Sequence, residues 1–238
     1  MNIALIGYGR MGHEVETIAH KRGHNISLVI DKDNTSDLNR INLNGIDAAI
    51  EFSLPSTAFH NISECLKCGI PVVSGTTGWL DDYEKAADLC RKNDTSFIHA
   101  TNFSLGVNLF FRLSTELARQ MKKYSDYSVS IEEIHHTRKL DAPSGTAITL
   151  AEGIASEHSG YKGWHNNSNL LEGSIPIVSI REGDVTGTHT VTWDSEIDSL
   201  SIRHEAKNRK GLALGAVVAA EFISTRKGVF TMNHVMGF

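Results

Sequence analysis

His135, His136 and Lys139 stand within five consecutive positions, and Pro143-Ser144-Gly145-Thr146 follows almost at once. Histidine titrates near neutral pH and lysine is a compact cationic donor. Both are suited to delivering a proton as a hydride arrives. Proline lacks an N–H and has a preset φ, which suits the first turn of a helix. With Pro143 there, the N–H groups of Ser144, Gly145 and Thr146 would form an anion site at a helix N-terminus. The Thr146 hydroxyl and Lys139 would help hold a carboxylate, and Gly145 would let it approach the backbone closely. The stretch from Ile131 begins as an alternating strand and ends in an apolar helix from Ile148. Side chains alternate across a strand, so His135 and His136 can face one cleft only if the strand stops at Ile134.

Spacing disfavours other chemistry for these residues. His135-His136 has no H-x-x-x-H or carboxylate spacing, so no metal site is expected; His189 and His204 could join only by tertiary proximity. Arg138 reads as a solvated charge and Asp141 as a cap for the following helix. The cationic run is short and has no aromatic partners, and the net charge is −5, which argues against nucleic-acid or membrane-surface binding. No apolar stretch is long enough to span a bilayer, and Met1 leads straight into a strand with no signal peptide expected. Apolar content of 40% and charged content of 21% fit an ordinary globule. Three cysteines suit a reducing compartment. Cys65, Cys68 and Cys90 fall on expected frame helices and read as structural.

Several elements must position this stretch. Asn2-Ile3-Ala4-Leu5-Ile6 is an apolar run ending in Gly7-Tyr8-Gly9-Arg10-Met11-Gly12. A helical pattern runs from Met11 to about Lys21, then a strand, Ile26 to Ile30, ends at Asp31, nineteen positions after Gly12. This is a complete βαβ frame for a dinucleotide. Gly7 allows the turn, Gly9 lets the pyrophosphate approach, Gly12 packs helix on strand, and Asp31 accepts from the ribose hydroxyls. Lys32 could attract a 2′-phosphate or simply be solvated. NADH and NADPH both remain open.

Strand and helix patterns continue to alternate, with strands at Ile46–Phe52, Pro71–Ser74 and Ser96–Ala100 and helices from Thr57 and from about Asp81. That alternation implies a parallel, doubly wound sheet. Ligands bind such sheets beyond the carboxyl ends of strands. Three polar turns there are candidates to line the nicotinamide half: Ser53-Leu54-Pro55, Gly75-Thr76-Thr77 and Thr101-Asn102-Phe103-Ser104. From Leu105 the pattern changes. A helix from Val107 to about Lys122 precedes the strand Tyr127–Ile131, and His158 to Gly173 is polar. Strands Ile175–Arg181, Thr188–Trp193 and Leu200–Ala206 follow, joined by Gly-Asp and Asp-Ser turns and expected to be antiparallel or mixed. An apolar helix, Gly211–Ile223, carries small residues on nearly every turn. The expected class is α/β, a Rossmann-type doubly wound parallel sheet with a second α+β domain. Residues 1–104 with 209–238 would form the dinucleotide-binding domain, and 105–208 the substrate-binding and oligomerisation domain.

The run E-x-x-H-H-x-x-K-x-D-A-P-S-G-T-A, Glu132 to Ala147, resembles the signature of the dihydrodipicolinate (4-hydroxy-tetrahydrodipicolinate) reductase family. Gly7 to Gly12, Gly75-Thr76-Thr77-Gly78, Asn102 to Asn108 and Arg181 to His189 follow in family order, so the resemblance covers the whole chain. It implies NAD(P)H-dependent reduction of a cyclic dicarboxylate in the diaminopimelate route to lysine. By position, His135 resembles the catalytic histidine and Lys139 the proton-donating lysine. His136, Gly145 and Thr146, with Ser144 in the same turn, resemble substrate-binding positions. Gly7, Tyr8, Gly9, Arg10, Met11, Gly12, Asp31, Lys32, Gly75, Thr76, Thr77, Ala100, Thr101, Asn102 and Phe103 resemble cofactor-binding positions. The family implies a cytoplasmic homotetramer whose C-terminal helix returns to the cofactor domain.

This chain is short for the family, and its glycine loop lacks a residue that longer members carry. Leu54 replaces an arginine found near the 2′-phosphate, leaving Lys32 as the main candidate for phosphate contact. A dinucleotide sensor without chemistry would need no cationic corner. Semialdehyde dehydrogenases with a covalent thiol would need an active-site cysteine.

Overall fold

A computed structural model describes residues 1–169 and 171–238. The chain divides into two compact units, Met1–Leu105 with Arg209–Phe238, and Gly106–Asn208. The first runs through β1 (Asn2–Ile6), α1 (Arg10–Lys21), β2 (Asn25–Ile30), β3 (Ala48–Glu51), α2 (Pro55–Lys67), β4 (Val72–Ser74), α3 (Tyr83–Lys92) and β5 (Ser96–His99). The second holds α4 (Leu105–Met121), which starts at the boundary, β6 (Ser128–His135), α5 (Gly145–Glu157), β7 (Gly163–His165), β8 (Ser174–Arg181), β9 (Thr188–Asp194) and β10 (Ser199–Glu205). The chain then rejoins the first unit through α6 (Lys210–Ile223), β11 (Gly228–Phe230) and α7 (Met232–Met236).

The first unit is a six-stranded parallel sheet in the order β11-β5-β4-β3-β1-β2. Both of its faces are covered, which explains the unbroken apolar runs. In β1, Ala4 and Ile6 face a core with Ile62 and Leu66 of α2 and Ala86 and Cys90 of α3. Ile3 and Leu5 face the opposite core with Val15 of α1 and Ala216, Val217 and Ala220 of α6. The small residues of α6 serve this contact: a Cβ on Gly215 would lie 1.7 Å from the Phe103 carbonyl oxygen. Cys65, Cys68 and Cys90 are free thiols on this frame.

The second unit is a mixed sheet, β10-β9-β6-β8-β7. Its core, which includes Val129, Ile131, Ile177, Val191 and Trp193, packs under Phe110 of α4 and Leu150 and Ile154 of α5. β8 and β9 follow each other in sequence but are not neighbours. β6 lies between them, parallel to β8 and antiparallel to β9. The stretch His158–Gly173, in which position 170 lies outside the described residues, contributes β7. β7 and β11 are three-residue edge strands, too short to show a period. No helix among the described residues is long and apolar enough to cross a membrane.

Candidate active site

In the first unit, β1 leads through Gly7, with φ +92°, into α1, whose N-cap is Gly9. A Cβ on Gly7 would lie 2.0 Å from the Phe52 carbonyl oxygen, and one on Gly12 would lie 2.5 Å from that of Gly7. The frame itself requires both glycines. Gly9 differs, because nothing lies within 4 Å of its missing Cβ. Its bare backbone stands at the positive end of α1, where phosphates are favoured. A cleft of about 330 Å³ joins Gly7, Tyr8 and Gly9 to Asp31 and Lys32 after β2 and to Ser53 and Leu54 after β3. It lies where the strand order turns about β1, the usual ligand position of such a sheet. The open backbone at Gly9, the helix end and the acidic Asp31 together fit a nicotinamide dinucleotide. Arg10 is exposed on the first turn of α1, and Met11 packs partly into the core.

The remaining expected cofactor residues lie at neighbouring strand ends, outside the lining of this cleft. Ser53 and Leu54 share the cleft of the glycine loop and Asp31. Glu51, fully buried at the end of β3, organises the loops. It accepts from Ser53 N at 3.0 Å, Ser74 Oγ at 2.7 Å, Thr76 Oγ1 at 2.8 Å and the Ser53 hydroxyl. The Thr76 carbonyl receives Trp79 Nε1 at 2.8 Å and lies 3.1 Å from His99 Nε2. Burial lowers the His99 pKa, against that hydrogen bond. Gly75 sits over the Phe52 ring and Thr77 is exposed. Ala100 is half-buried, Thr101 exposed, and Asn102 Oδ1 accepts from Ser104 N. Phe103 is core, edge-on to Phe52, so only its backbone can meet a ligand.

In the second unit the strand continues through His135 rather than stopping at Ile134. His135 is therefore buried on the same face as Glu133, and His136 follows the strand, half-buried. His136 Nδ1 is buried and has no hydrogen-bond partner among the described residues. Lys139 Nζ lies 2.7 Å from both Asp141 carboxylate oxygens, and the ammonium holds the Asp141 carboxyl below its usual range. Asp141 is thus the partner of Lys139, not a helix cap. Pro143, reached by a cis peptide bond, precedes α5 instead of entering its first turn. The cap is Ser144, whose Oγ accepts from Ala147 N at 3.2 Å. The Ser144 N–H points inward, 3.1 and 3.0 Å from the Glu133 carboxylate oxygens, so it is not offered to an anion. Gly145 is exposed at the first position of α5, with nothing within 4 Å of its missing Cβ, and Thr146 follows it. Arg138 is exposed and pairs with Asp184 at 2.6 Å.

Beneath this corner lies a cluster that sequence spacing could not reveal. Glu133 pairs directly across the antiparallel ladder with His189. His135 Nε2 and His189 Nε2 lie 3.3 Å apart, and each is within 3.6 Å of Glu133 Oε2. Ser144 Oγ is 3.1 Å from His189 Nε2, and Arg181 reaches Glu133 Oε1 at 3.3 Å. Burial alone would raise the Glu133 carboxyl pKa; the hydrogen bonds around it, that of His135 first, outweigh it and hold the group ionised. Burial pushes His189 down, against the pull of Glu133, so its ring is neutral near pH 7. The Ser144 N–H donates to both Glu133 oxygens and Arg181 to Oε1, which makes the cluster a hydrogen-bonded network.

Family models described as "Dihydrodipicolinate reductase, N-terminus" and "Dihydrodipicolinate reductase, C-terminus" match residues 1–103 and 106–236. The chain is 56% identical over 237 residues to the 4-hydroxy-tetrahydrodipicolinate reductase of Christiangramia forsetii, covering 99% of this chain and 98% of that one. The chain belongs to the dihydrodipicolinate reductase family. The reductase of Alkaliphilus metalliredigens is 33% identical, covering 96% of this chain and 95% of its own. A dipicolinate-bound dihydrodipicolinate reductase from Paenisporosarcina sp. TG-14 superposes with a TM-score of 0.81 at 25% identity, covering 97% of each chain. Aspartate semialdehyde dehydrogenase II of Vibrio cholerae, at 10% identity and a TM-score of 0.54, shares the fold alone.

His135, His136, Lys139, Gly145 and Thr146 form a contiguous motif in the sequence. Glu133, Arg181 and His189 were not assigned roles. Glu133 carried one signal: it is a charged residue on a strand face that begins with Val129 and Ile131. Thr35, Phe52, Thr57 and Asn61 also line the cleft without having been singled out. In Asn61 the hint was a polar residue on an otherwise apolar helix face.

Proposed function

We propose that the protein reduces 4-hydroxy-tetrahydrodipicolinate to tetrahydrodipicolinate with NADH or NADPH, in the diaminopimelate route of lysine biosynthesis. The observation that carries the reading is the corner from His135 to Thr146, with its buried histidine, its lysine and the open helix end at Gly145. A bound reduced nicotinamide supplies the hydride. Gly9 and the N-terminus of α1 bind the nucleotide's phosphates, and Asp31 accepts from the ribose hydroxyls. Lys32 meets a 2′-phosphate when one is present, with Leu54 adding no charge beside it.

The substrate's carboxylate binds at the N–H groups of Gly145 and Thr146, beside Lys139 and the unpartnered Nδ1 of His136. A substrate carboxylate can compete with Asp141 for Lys139, since that pair is partly exposed. The 4-hydroxyl leaves as water with a hydrogen from the adjacent ring carbon; the hydride then adds to the carbon that carried the hydroxyl, and a proton returns to the neighbouring position. His135 or Lys139 delivers it. Ser144 serves by capping α5 rather than by touching the substrate.

Family resemblance supports a cytoplasmic homotetramer. Ile134, Val178 and Ile180, half-exposed on the sheet face turned away from α4 and α5, suit packing against a second copy. Turnover of His135→Ala and Lys139→Ala tests the roles. Each should fall by about two orders of magnitude or more while nucleotide binding persists. Near-normal turnover in both would refute the assignment.

A further inference from the structure

We infer that Glu133 and His189 are positioning residues for His135, fixing its ring and its proton and tying it to the N-terminus of α5. The inference rests on the reading of His135 as a proton-handling group. It starts from an anomaly on β6. Val129, Ile131, Glu133 and His135 all point to one face, and the first two belong to the hydrophobic core. Packing alone would continue that face with apolar residues. A carboxylate with no exposed surface stands there instead. Burying it is strongly unfavourable unless it is paired and hydrogen-bonded.

The pairing joins the parts of the site. Arg181 from β8 neutralises Glu133, and the same guanidinium donates to the Lys139 and Asp141 carbonyls. Ser144 brings the cap of α5 onto the carboxylate through its N–H. Gly187 presses on the His135 ring, since a Cβ there would lie 2.9 Å from Cε1. The groups facing His135 are thus Glu133 on its own strand, His189 on β9 and Arg181, its ladder partner on β8. His204 on β10 lies beyond, opposite His189 in the ladder.

The two facing Nε2 atoms, 3.3 Å apart, cannot both carry a hydrogen toward each other. Placing the shared hydrogen on His135 makes His189 Nε2 the acceptor and puts the His189 hydrogen on Nδ1, which is buried with no partner among the described residues. Glu133 Oε2 lies 3.5 Å from the same His135 nitrogen, so the carboxylate faces its N–H. An isosteric change that removes the charge of Glu133 therefore loosens the proton. Replacing His189 removes the acceptor that orients the ring.

The test compares wild type with Glu133→Gln and His189→Gln, each checked for folding by thermal melting. In Glu133→Gln the alkaline limb of the kcat–pH profile should move down by about one unit. Both variants should lose about tenfold or more in kcat, with the KM for nucleotide unchanged. A lower kcat with an unmoved profile in Glu133→Gln would mean a merely structural carboxylate and would overturn the inference. Ring-nitrogen NMR reads the same claim without turnover. Wild type should show a nitrogen–nitrogen coupling between His135 and His189 across their hydrogen bond. It should also show a His189 ring that stays neutral to lower pH than a free histidine. If either signature is missing the inference fails, even if the variants do not fold. If wild type shows both signatures but does not turn over, the functional reading fails instead.

Discussion

His135 and Lys139 could be singled out because they are close in sequence and share one loop. Their surroundings could not, because Glu133 meets His189 only through strand register, and Asp141 turned out to face Lys139 rather than α5. Leu54 offers a prediction at this scale. It lines the nucleotide cleft with Asp31 and Lys32 and carries no charge. Leu54→Arg should raise affinity for NADPH relative to NADH by about tenfold, the effect of one added phosphate partner. Titrating both nucleotides against the variant and wild type checks this. An unchanged ratio would show that the 2′-phosphate does not reach Leu54.

Among the elements, the glycine loop separates binding from folding. Gly9 faces open space, whereas Gly12 meets the Gly7 carbonyl. Gly9→Val should weaken nucleotide binding about tenfold or more with an unchanged melting temperature, since only the ligand's approach is blocked. Gly12→Val should instead cost about 1–3 kcal/mol of stability through overpacking, read by denaturant unfolding. Comparable losses of stability in both would contradict this division. The first-unit strands were legible because a sheet buried on both faces writes continuous apolar runs. β11 and β7 were not, being three-residue edges whose pairing depends on distant partners. Pro143 suits a helix start as Ser144 does, but it lies two positions before Gly145, the first residue of α5. The link from Ser144 to Glu133 decided between them.

For the whole molecule, the buried cluster sets how stability responds to acid. His189 has its folded pKa below the ordinary 6.5, so its contribution is complete above that value and declines as the pH falls below it. Glu133 is likewise depressed from 4.5, so its contribution is lost only as the pH falls further below that value. The melting temperature should therefore drop from pH 7 to pH 4, and His189→Gln should flatten the upper part of that slope. A variant slope equal to wild type would remove His189 from the account. The division into two units followed from the change of pattern at Leu105 and the small-residue helix at Gly211, whereas the order of the mixed sheet needed the register itself. The central claim is the reaction, and its most direct test follows NADH and NADPH absorbance with freshly generated 4-hydroxy-tetrahydrodipicolinate. The account predicts substrate-dependent oxidation of at least one nucleotide by wild type, largely lost in Lys139→Ala. Oxidation of neither nucleotide by wild type would contradict it.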